Sequence, residues 1–480
     1  MVNSRLVVVG DGPVAKSLVA GAVEGLTLDW LVYPFGLDST AEHGIVLNNG
    51  PKVVANLPDA SFRKRVIPGA DLYINPSSSH EGGINVFSAE PGETNPTFEI
   101  RDGDTVAIAM KTYGTFGALE QLSSLLEGRR DITILLYQNG FRNETKVEGW
   151  LGENGLEGFN VVRAVALGPC TSLPKGGLDN QIFNSLLGHR DIDDPRHVKL
   201  SQRVAEMFGY IPVNAVPVNV MREVGGLKAS ANLFNAAAYL FGCNFEEGIG
   251  NVAIRDMFRS SIHESARILR EHGIDIGPRK IDRVTSGMFD SLRGHIASMG
   301  NEHLGQIRVN GQSPFMLATE VDDLQGDVVA WGKKLDLPTF WNSFAYDLIT
   351  DSVNTYNLLR LDDGSDKAIE FIARSIARNR HIVGLDPYAV HRNAGHDYLC
   401  VSESRIADDF SDVDLACDRF LHTCARYTDA NKGLVPLMTA SYASLKTEYA
   451  GELGLDYKPF NLSQSECSRS CNNLRACYQI

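Results

Sequence analysis

The sequence predicts an α/β domain on a parallel sheet covered on both faces, then an all-α domain, then an extra C-terminal extension. Three observations carry that prediction. Up to Ala215, short valine- and leucine-rich runs alternate with stretches whose apolar residues recur at helical spacing, the pattern of strands joined by crossover helices. The first run, Arg5 to Val9, ends at a glycine that opens a tight loop. From about Val216 strand-like runs become scarce and helical periodicity takes over.

Taken in order, "RLVVVG" (5–10) reads as the first strand and "DGPVAKSLVAGAV" as the helix after it. "LDWLVY" (28–33) is a second strand candidate and "DTVAIAMKTY" (104–113) a third, followed by the helix-like "GALEQLSSLLEG". "DITILLYQNG" (131–140) and "NVVRAVAL" (160–167) are the fourth and fifth. Further on, "LKASANLFNAAAYLF", "AIRDMFRSSIHESARILREHG" and "LQGDVVAWGKKLDLP" have helical periodicity. "LRLDDGSDK" (359–367) reads as a linker or loop, and the remainder as mixed or mainly helical. The expected division is therefore 1–215, 216–355 and 356–480. No repeat at solenoid spacing is visible.

A chain of 480 residues is long enough for two or three domains, each with its own core. Its 43 % hydrophobic and 22 % charged residues are ordinary for a globular protein. The net charge of -14 argues against a nucleic-acid partner, which needs clustered lysine and arginine. It leaves room for a small anionic ligand in a local basic pocket. Met1 leads almost directly into a strand-like run, so no secretory signal is expected. The longest apolar stretch, Leu233 to Cys243, carries Asn235 and is too short to span a bilayer. A cytoplasmic protein with no membrane partner is the expectation, with a homo-oligomer left open. Its eight cysteines then read as reduced thiols. His391, His396 and Cys400, and the tail group Cys467, Cys471 and Cys477, match no standard metal spacing. No metal site is assigned to them.

Gly10-Asp11-Gly12-Pro13-Val14-Ala15 has the G-x-G-x-x-G/A form between the first strand and the first helix. The first glycine allows the tight turn and the second lets backbone approach a pyrophosphate. The small Ala15 permits close helix–strand packing at a helix N-terminus that favours anions. This context makes the first domain a Rossmann-type dinucleotide-binding candidate. The residue that usually chooses the cofactor is missing. Tyr33-Pro34-Phe35-Gly36 offers neither an acid for a ribose hydroxyl nor an arginine for a 2′-phosphate, and Asp29 falls too early in the strand. Arg63, Lys64 and Arg65 read as a solvated basic turn. NAD and NADP both remain open on these residues.

Four further groups gain weight from their order. Lys111 lies where the third strand candidate ends, at the carboxyl edge where open parallel sheets bind ligands. Gln138-Asn139-Gly140 ends the fourth, and an amide there can both donate and accept hydrogen bonds. Lys228 lies on a helix with Asn232 one turn later on the same face. Glu320 starts a later helix. Singly, each has a plain structural reading as a surface lysine, a turn pair or an acidic helix start.

In this order the sequence resembles the ketopantoate reductase (2-dehydropantoate 2-reductase) family. The pattern is a glycine loop, a strand-end lysine, an "(Q/H)NG" turn, a "K-x-x-x-N" helix and "TEID-x-(L/I)-NG". The last stands here as Thr319-Glu320-Val321-Asp322-Asp323-Leu324-Gln325-Gly326. The closing "G-x-x-L-x-(I/L)-P-T-x-x-N" is Gly332, Leu335, Leu337, Pro338, Thr339 and Asn342. The resemblance covers roughly residues 5–350. It implies that the second domain is of the 6-phosphogluconate-dehydrogenase-like all-α type. It also implies a small-molecule substrate and a nicotinamide cofactor, with NADPH slightly favoured over NADH.

The resemblance further implies that Lys228 is the general acid and that Glu320 holds the substrate hydroxyl and orients the lysine. It places Lys111 and Asn139 beside the nicotinamide, with Asn232, Asn235 and Ser298 toward the substrate. The chain departs from the pattern at three points. The family's second asparagine is replaced by Ala236 with Asn235 displaced by one, Gly226 stands where a bulky aromatic is common, and Ser298 lies far upstream of the glutamate. Two alternatives stay open: an opine-type dehydrogenase that reduces an imine of an amine and a keto acid, and a non-catalytic dinucleotide-binding regulator. Presence of both Lys228 and Glu320 counts against the latter.

Overall fold

The computed structural model describes residues 5–32, 98–281, 320–385 and 430–453, apart from single residues and short runs within them, and the strand segments 46–48, 63–65, 71–74 and 84–88. The chain divides into two compact units, Met1–Ala229 and Ser230–Ile480.

In the first unit β1 (Arg5–Val9) leads through α1 (Pro13–Gly21) to β2 (Thr27–Val32). Four short strands follow: β3 (Val46–Asn48), β4 (Arg63–Arg65), β5 (Asp71–Ile74) and β6 (Ile84–Ser88). The chain then returns with β7 (Thr105–Ile108), a 3-10 turn (Thr112–Gly114), α2 (Thr115–Leu126), β8 (Thr133–Tyr137), α3 (Asn143–Glu153) and β9 (Asn160–Leu167). The unit continues with β10 (Cys170–Ser172), β11 (Gly177–Asn180), β12 (Asn184–Gly188), α4 (Pro195–Ala205), β13 (Val213–Ala215) and α5 (Val218–Asn232).

The main sheet has the order β13-β12-β9-β8-β7-β1-β2-β6-β5-β4, and β10, β11 and β3 form a second, small sheet. From β6 through β9 the strands are parallel. Antiparallel pairing enters where β12 meets β9 and where β5 and β4 extend the other side. Alternation along β1 explains why its whole run is apolar. Leu6 and Val8 join the cluster containing Leu18, Trp30 and Leu135, while Val7 and Val9 join the opposite cluster with Leu119, Ile134 and Leu136. With both faces buried, each such side chain contributes about 1.5–3 kcal/mol.

The sheet is wider than the five strands expected. Arg63–Arg65, expected as a basic turn, is the outer strand β4; charged residues are tolerated there because an edge strand has one open side. β12 looks polar in sequence, with Asn184 and Ser185, yet it forms because β9 and β13 pair with it on either side.

The second unit is helical in its described residues. It holds α6 (Phe234–Phe241), α7 (Phe245–Gly250), α8 (Val252–Glu271), a π-helical turn (Asp322–Gly326), α9 (Asp327–Leu335), α10 (Phe340–Leu361), α11 (Ser365–Ile382) and α12 (Ala430–Leu453). α8 buries Ile254, Met257, Phe258, Ile262, Ala266 and Leu269 on one stripe. The expected linker at 359–367 is narrower than the sequence suggests, since α10 runs through Leu361 and α11 begins at Ser365.

The helices beyond the expected second domain are not a detached module. α11 packs on α6 and α10, and α12 packs on α8, α10 and α11. Phe371 of α11 is fully buried and meets Tyr442 and Tyr449 of α12 edge-on at 5.9 and 5.6 Å. Arg380, 2 % exposed, donates to the carbonyls of Phe241 and Gly242 at the end of α6 and pairs with Glu247 at 2.6 Å.

Candidate functional site

The glycine loop is built as its sequence requires. Gly10 has φ +125°, and a Cβ there would lie 2.5 Å from the Ala109 carbonyl oxygen, so only glycine fits. Its N–H donates to Leu31 O at 3.1 Å, and Trp30 Nε1 donates to Gly10 O at 2.7 Å. β2 thus fixes the loop from one side. Gly12 is the N-cap of α1 and Pro13 occupies the first turn. The helical ladder begins when Lys16 N–H donates to Gly12 O at 3.0 Å. The N–H groups of Val14 and Ala15 are left without an intrahelical acceptor. A Cβ at Gly12 would meet nothing within 4 Å, so backbone there is open to a ligand, while Ala15 is buried against the sheet. Asp11 is half-buried in the same turn. These residues fit a pyrophosphate.

Asp29 has a structural task at the opposite, amino edge of the sheet. Arg5 Nη1 donates to Asp29 Oδ2 and Arg5 Nη2 to Asp104 Oδ2, both at 2.6 Å and buried. The early position of Asp29 in its strand therefore corresponds to a salt bridge that ties β1 to β2 and to the start of β7.

At the carboxyl edge, Lys111 caps the 3-10 turn after β7 and is half-buried. Asn139 and Gly140 turn the chain after β8. Gly140 has φ +118°, and a Cβ there would lie 2.4 Å from Asn143 Oδ1. Gln138, which had no assigned role of its own, joins the two strand ends. Its Nε2 donates to Met110 O at 2.9 Å and to Thr115 Oγ1 at 2.7 Å.

Beneath the turn lies a buried group that sequence reasoning missed. Arg163 donates to Gly140 O and Arg190 to Phe141 O. Glu144, with no exposed surface, stands between them, 3.4 Å from Arg163 and 4.0 Å from Arg190. The signal was present in "NVVRAVAL": a charged residue inside an otherwise apolar central strand needs a buried partner.

Lys228 and Asn232 lie one turn apart on α5, both half-buried. Asn232 ends the helix, and its amide nitrogen is buried without a hydrogen-bond partner among the described residues. The segment expected as one helix breaks at Leu233, and Asn235 sits in the first turn of α6. Gln325 occupies this break, donating from Nε2 to the buried Leu233 O at 2.9 Å. Gln325 belongs to the same motif as Glu320. Glu320 is 4 % exposed, and its carbonyl accepts the N–H groups of Asp323 and Leu324, both at 3.1 Å, at the entrance to the π turn. The glutamate motif and the end of the lysine helix are thus joined through one amide. Ser298 lies outside the described residues, as do His391, His396, Cys400 and the three tail cysteines.

The closing motif is a staple rather than a ligand set. A Cβ at Gly332 would lie 2.3 Å from Thr339 Cγ2. Asn342 Nδ2 donates to Ser261 O at 3.0 Å and to Glu264 Oε2 at 2.7 Å. Glu264 also accepts the N–H groups of Trp341 and Asn342 at the start of α10. Burial pushes its carboxyl up to about 7, against these donors, which lower it. Cys170 and Cys243 are buried thiols outside any disulfide. Among the described residues no group of three or more histidine, cysteine or acidic side chains is arranged to hold a metal, and no helix is long and apolar enough to cross a membrane.

A parallel sheet with a glycine loop at its first turn, followed by a helical unit, defines a Rossmann-type chain with an all-α second domain. Residues 227–352 match the family described as "Ketopantoate reductase PanE/ApbA C terminal". In fold it is similar to a D-mandelate dehydrogenase solved with NADH and anilino(oxo)acetate, at 16 % identity and a TM-score of 0.53, over 73 % of this chain and 99 % of that one. A PanE/ApbA family ketopantoate reductase from Ralstonia eutropha JMP134 aligns at 16 % identity and a TM-score of 0.48, over 72 % of this chain and 97 % of the other. No curated protein matches the chain in sequence.

Proposed function

We propose that this chain is an NAD(P)H-dependent reductase of a 2-keto acid or related carbonyl compound, similar in chemistry to ketopantoate reductase. The observation that carries this reading is the α5 face. Within the family-matched segment it presents Lys228 and, one turn later, a buried Asn232 amide nitrogen with no hydrogen-bond partner among the described residues. A donor left unsatisfied in a native fold is costly, and a substrate oxygen would satisfy it. The glycine loop supplies the anion cradle, and the fold relative solved with NADH supports a nicotinamide dinucleotide as its occupant.

A bound nicotinamide supplies the hydride. Hydride addition to a carbonyl carbon leaves negative charge on the oxygen. The Lys228 ammonium both stabilises that charge and delivers the proton. Asn232 donates a hydrogen bond that fixes the substrate. Asn235, in the first turn of α6, and Ser298 are further substrate-side candidates. Glu320 holds the substrate hydroxyl and orients the lysine. Lys111 and Asn139, at the ends of β7 and β8, lie on the cofactor side together with Gly10 through Ala15.

The test follows NADPH and NADH absorbance with a panel of 2-keto acids including ketopantoate, with amines added or omitted, and Lys228→Ala alongside. Turnover of a keto acid alone, lost in the variant, supports the proposal. Turnover only when an amine is present replaces it with imine reduction. Dinucleotide binding with no oxidation under any condition leaves the regulatory alternative.

A further inference from the structure

Two buried arginines hold the turn after β8 from beneath. Gly140 O and Phe141 O are consecutive carbonyls of that turn, and each accepts from a different guanidinium, the first from Arg163 and the second from Arg190. Glu144 stands between the two as their common countercharge. A buried ionic group of this kind adds little to stability, since apolar side chains of similar volume do as well or better. What planar guanidinium donors provide is a fixed orientation.

Both arginines also meet the lysine helix. Arg222 of α5 donates from Nε to Arg190 O at 2.6 Å. A Cβ at Gly225 would lie 3.9 Å from Arg163 Nη1 and 3.8 Å from Val165 Cγ2, so α5 runs close over β9 at this residue. The peptide segment that carries Arg190 is itself held. His189 Nδ1 accepts the N–H groups of Asp191 and Ile192 at 3.0 and 3.1 Å, which leaves Nε2 to donate to Glu148 of α3 at 3.0 Å. Along α5, Arg222, Gly225, Lys228 and Asn232 recur at helical spacing and share one stripe. The stripe anchored by the Arg190 carbonyl therefore carries Lys228 less than two turns further on. Every link from the turn to Lys228 lies within the first unit, Met1–Ala229.

We infer that Arg222 is a positioning residue for the reduction: through Arg190 it registers the helix bearing Lys228 against the turn bearing Asn139. The inference rests on the proposed function, in which Lys228 delivers the proton and Asn139 lies on the cofactor side. Proton delivery needs the ammonium within hydrogen-bond reach of an oxygen whose carbon faces the nicotinamide, and a misplacement of about 1 Å can cost about 10²-fold in rate. The Arg222 side chain is 37 % exposed, so truncating it strands no buried charge. That separates its effect on geometry from the unfolding expected on removal of Arg163, Arg190 or Glu144.

A kinetic double-mutant cycle on the full chain tests this, using the keto acid that the wild type reduces. Arg222→Ala is expected to lower kcat by about tenfold or more, measured well below its melting transition, with KM changed less than kcat. Arg222→Lys, whose ammonium can donate to the same carbonyl, is expected to recover most of the loss. In a Lys228→Ala background, Arg222→Ala is expected to lower kcat no further, because a residue that acts through the lysine then has nothing to position. Wild-type kcat in Arg222→Ala, even with a lowered melting temperature, makes Arg222 a structural residue and overturns the inference. A loss that persists in full without Lys228 overturns it as well, and both results leave the proposed function standing. A wild-type chain that turns over no keto acid with either dinucleotide, amine present or absent, strikes the proposed function and the positioning role with it.

Discussion

At the scale of single residues, the useful distinction is between polar groups that the fold satisfies and those it leaves waiting. Asp29, Glu144 and the amide nitrogen of Asn342 have their partners inside the protein. The amide nitrogen of Asn232 has none among the described residues. Removing an unsatisfied buried donor relieves a penalty, whereas removing a substrate contact weakens binding. Asn232→Ala is therefore expected to leave the melting temperature unchanged or raised while KM for the keto acid increases; a clear loss of thermal stability would make Asn232 a structural residue. Lys228→Ala is expected to lower kcat by about 10²–10⁴, the range of general acid–base catalysis, with dinucleotide affinity unchanged by titration. At Gly10, alanine faces both a positive φ and a backbone oxygen 2.5 Å away. Gly10→Ala should cost about 1–3 kcal/mol in the unfolding of the first unit, and should lose dinucleotide binding even where the chain still folds.

Elements are joined by a few amides and carboxylates at their ends. Gln325 links the π turn to the break after α5, so the glutamate motif and the lysine helix share a brace. Gln325→Ala leaves the Leu233 carbonyl buried and unpaired. We expect a loss of about 1–3 kcal/mol by denaturant unfolding, accompanied by lower turnover. Glu264 braces α8 against α10. Its folded value of about 7 stands above the ordinary 4.5. Between those two values the folded chain keeps a proton that the unfolded chain has released, so stability is expected to fall as pH rises through this window and to level off above it. Thermal unfolding from pH 4.5 to 8 checks the slope, and Glu264→Gln should flatten it because the amide does not titrate there.

At the scale of the molecule, the helices after the family-matched segment are part of the second unit's core. Arg380 satisfies the end of α6 and the Glu247 carboxylate together, and Phe371 packs among the tyrosines of α12. Arg380→Ala leaves Glu247 largely buried without its partner and is expected to cost about 3–5 kcal/mol. A chain ended after residue 352 should expose this apolar interface and collect in the insoluble fraction, measurable by size-exclusion chromatography beside the full chain. A soluble, well-folded truncated chain would show the extension to be dispensable.

By itself the sequence determined the glycine loop, the strands β1, β2, β7, β8 and β9, and the lysine helix, because each is set by local means. A positive-φ glycine, an apolar run buried on both faces, and 3.6-residue periodicity are written in neighbouring residues. The same locality led the charged run at Arg63–Arg65 to be taken for a turn and hid β12, whose pairing comes from strands distant in sequence. Tertiary structure alone decided that Arg163 and Arg190 clamp the asparagine–glycine turn, that Gln325 reaches Leu233, that the Asn232 amide nitrogen has no partner among the described residues, and that α11 and α12 pack into the helical unit. Each of these depends on residues brought together by packing, and a buried polar group declares its role only when its partners, or their absence, can be seen.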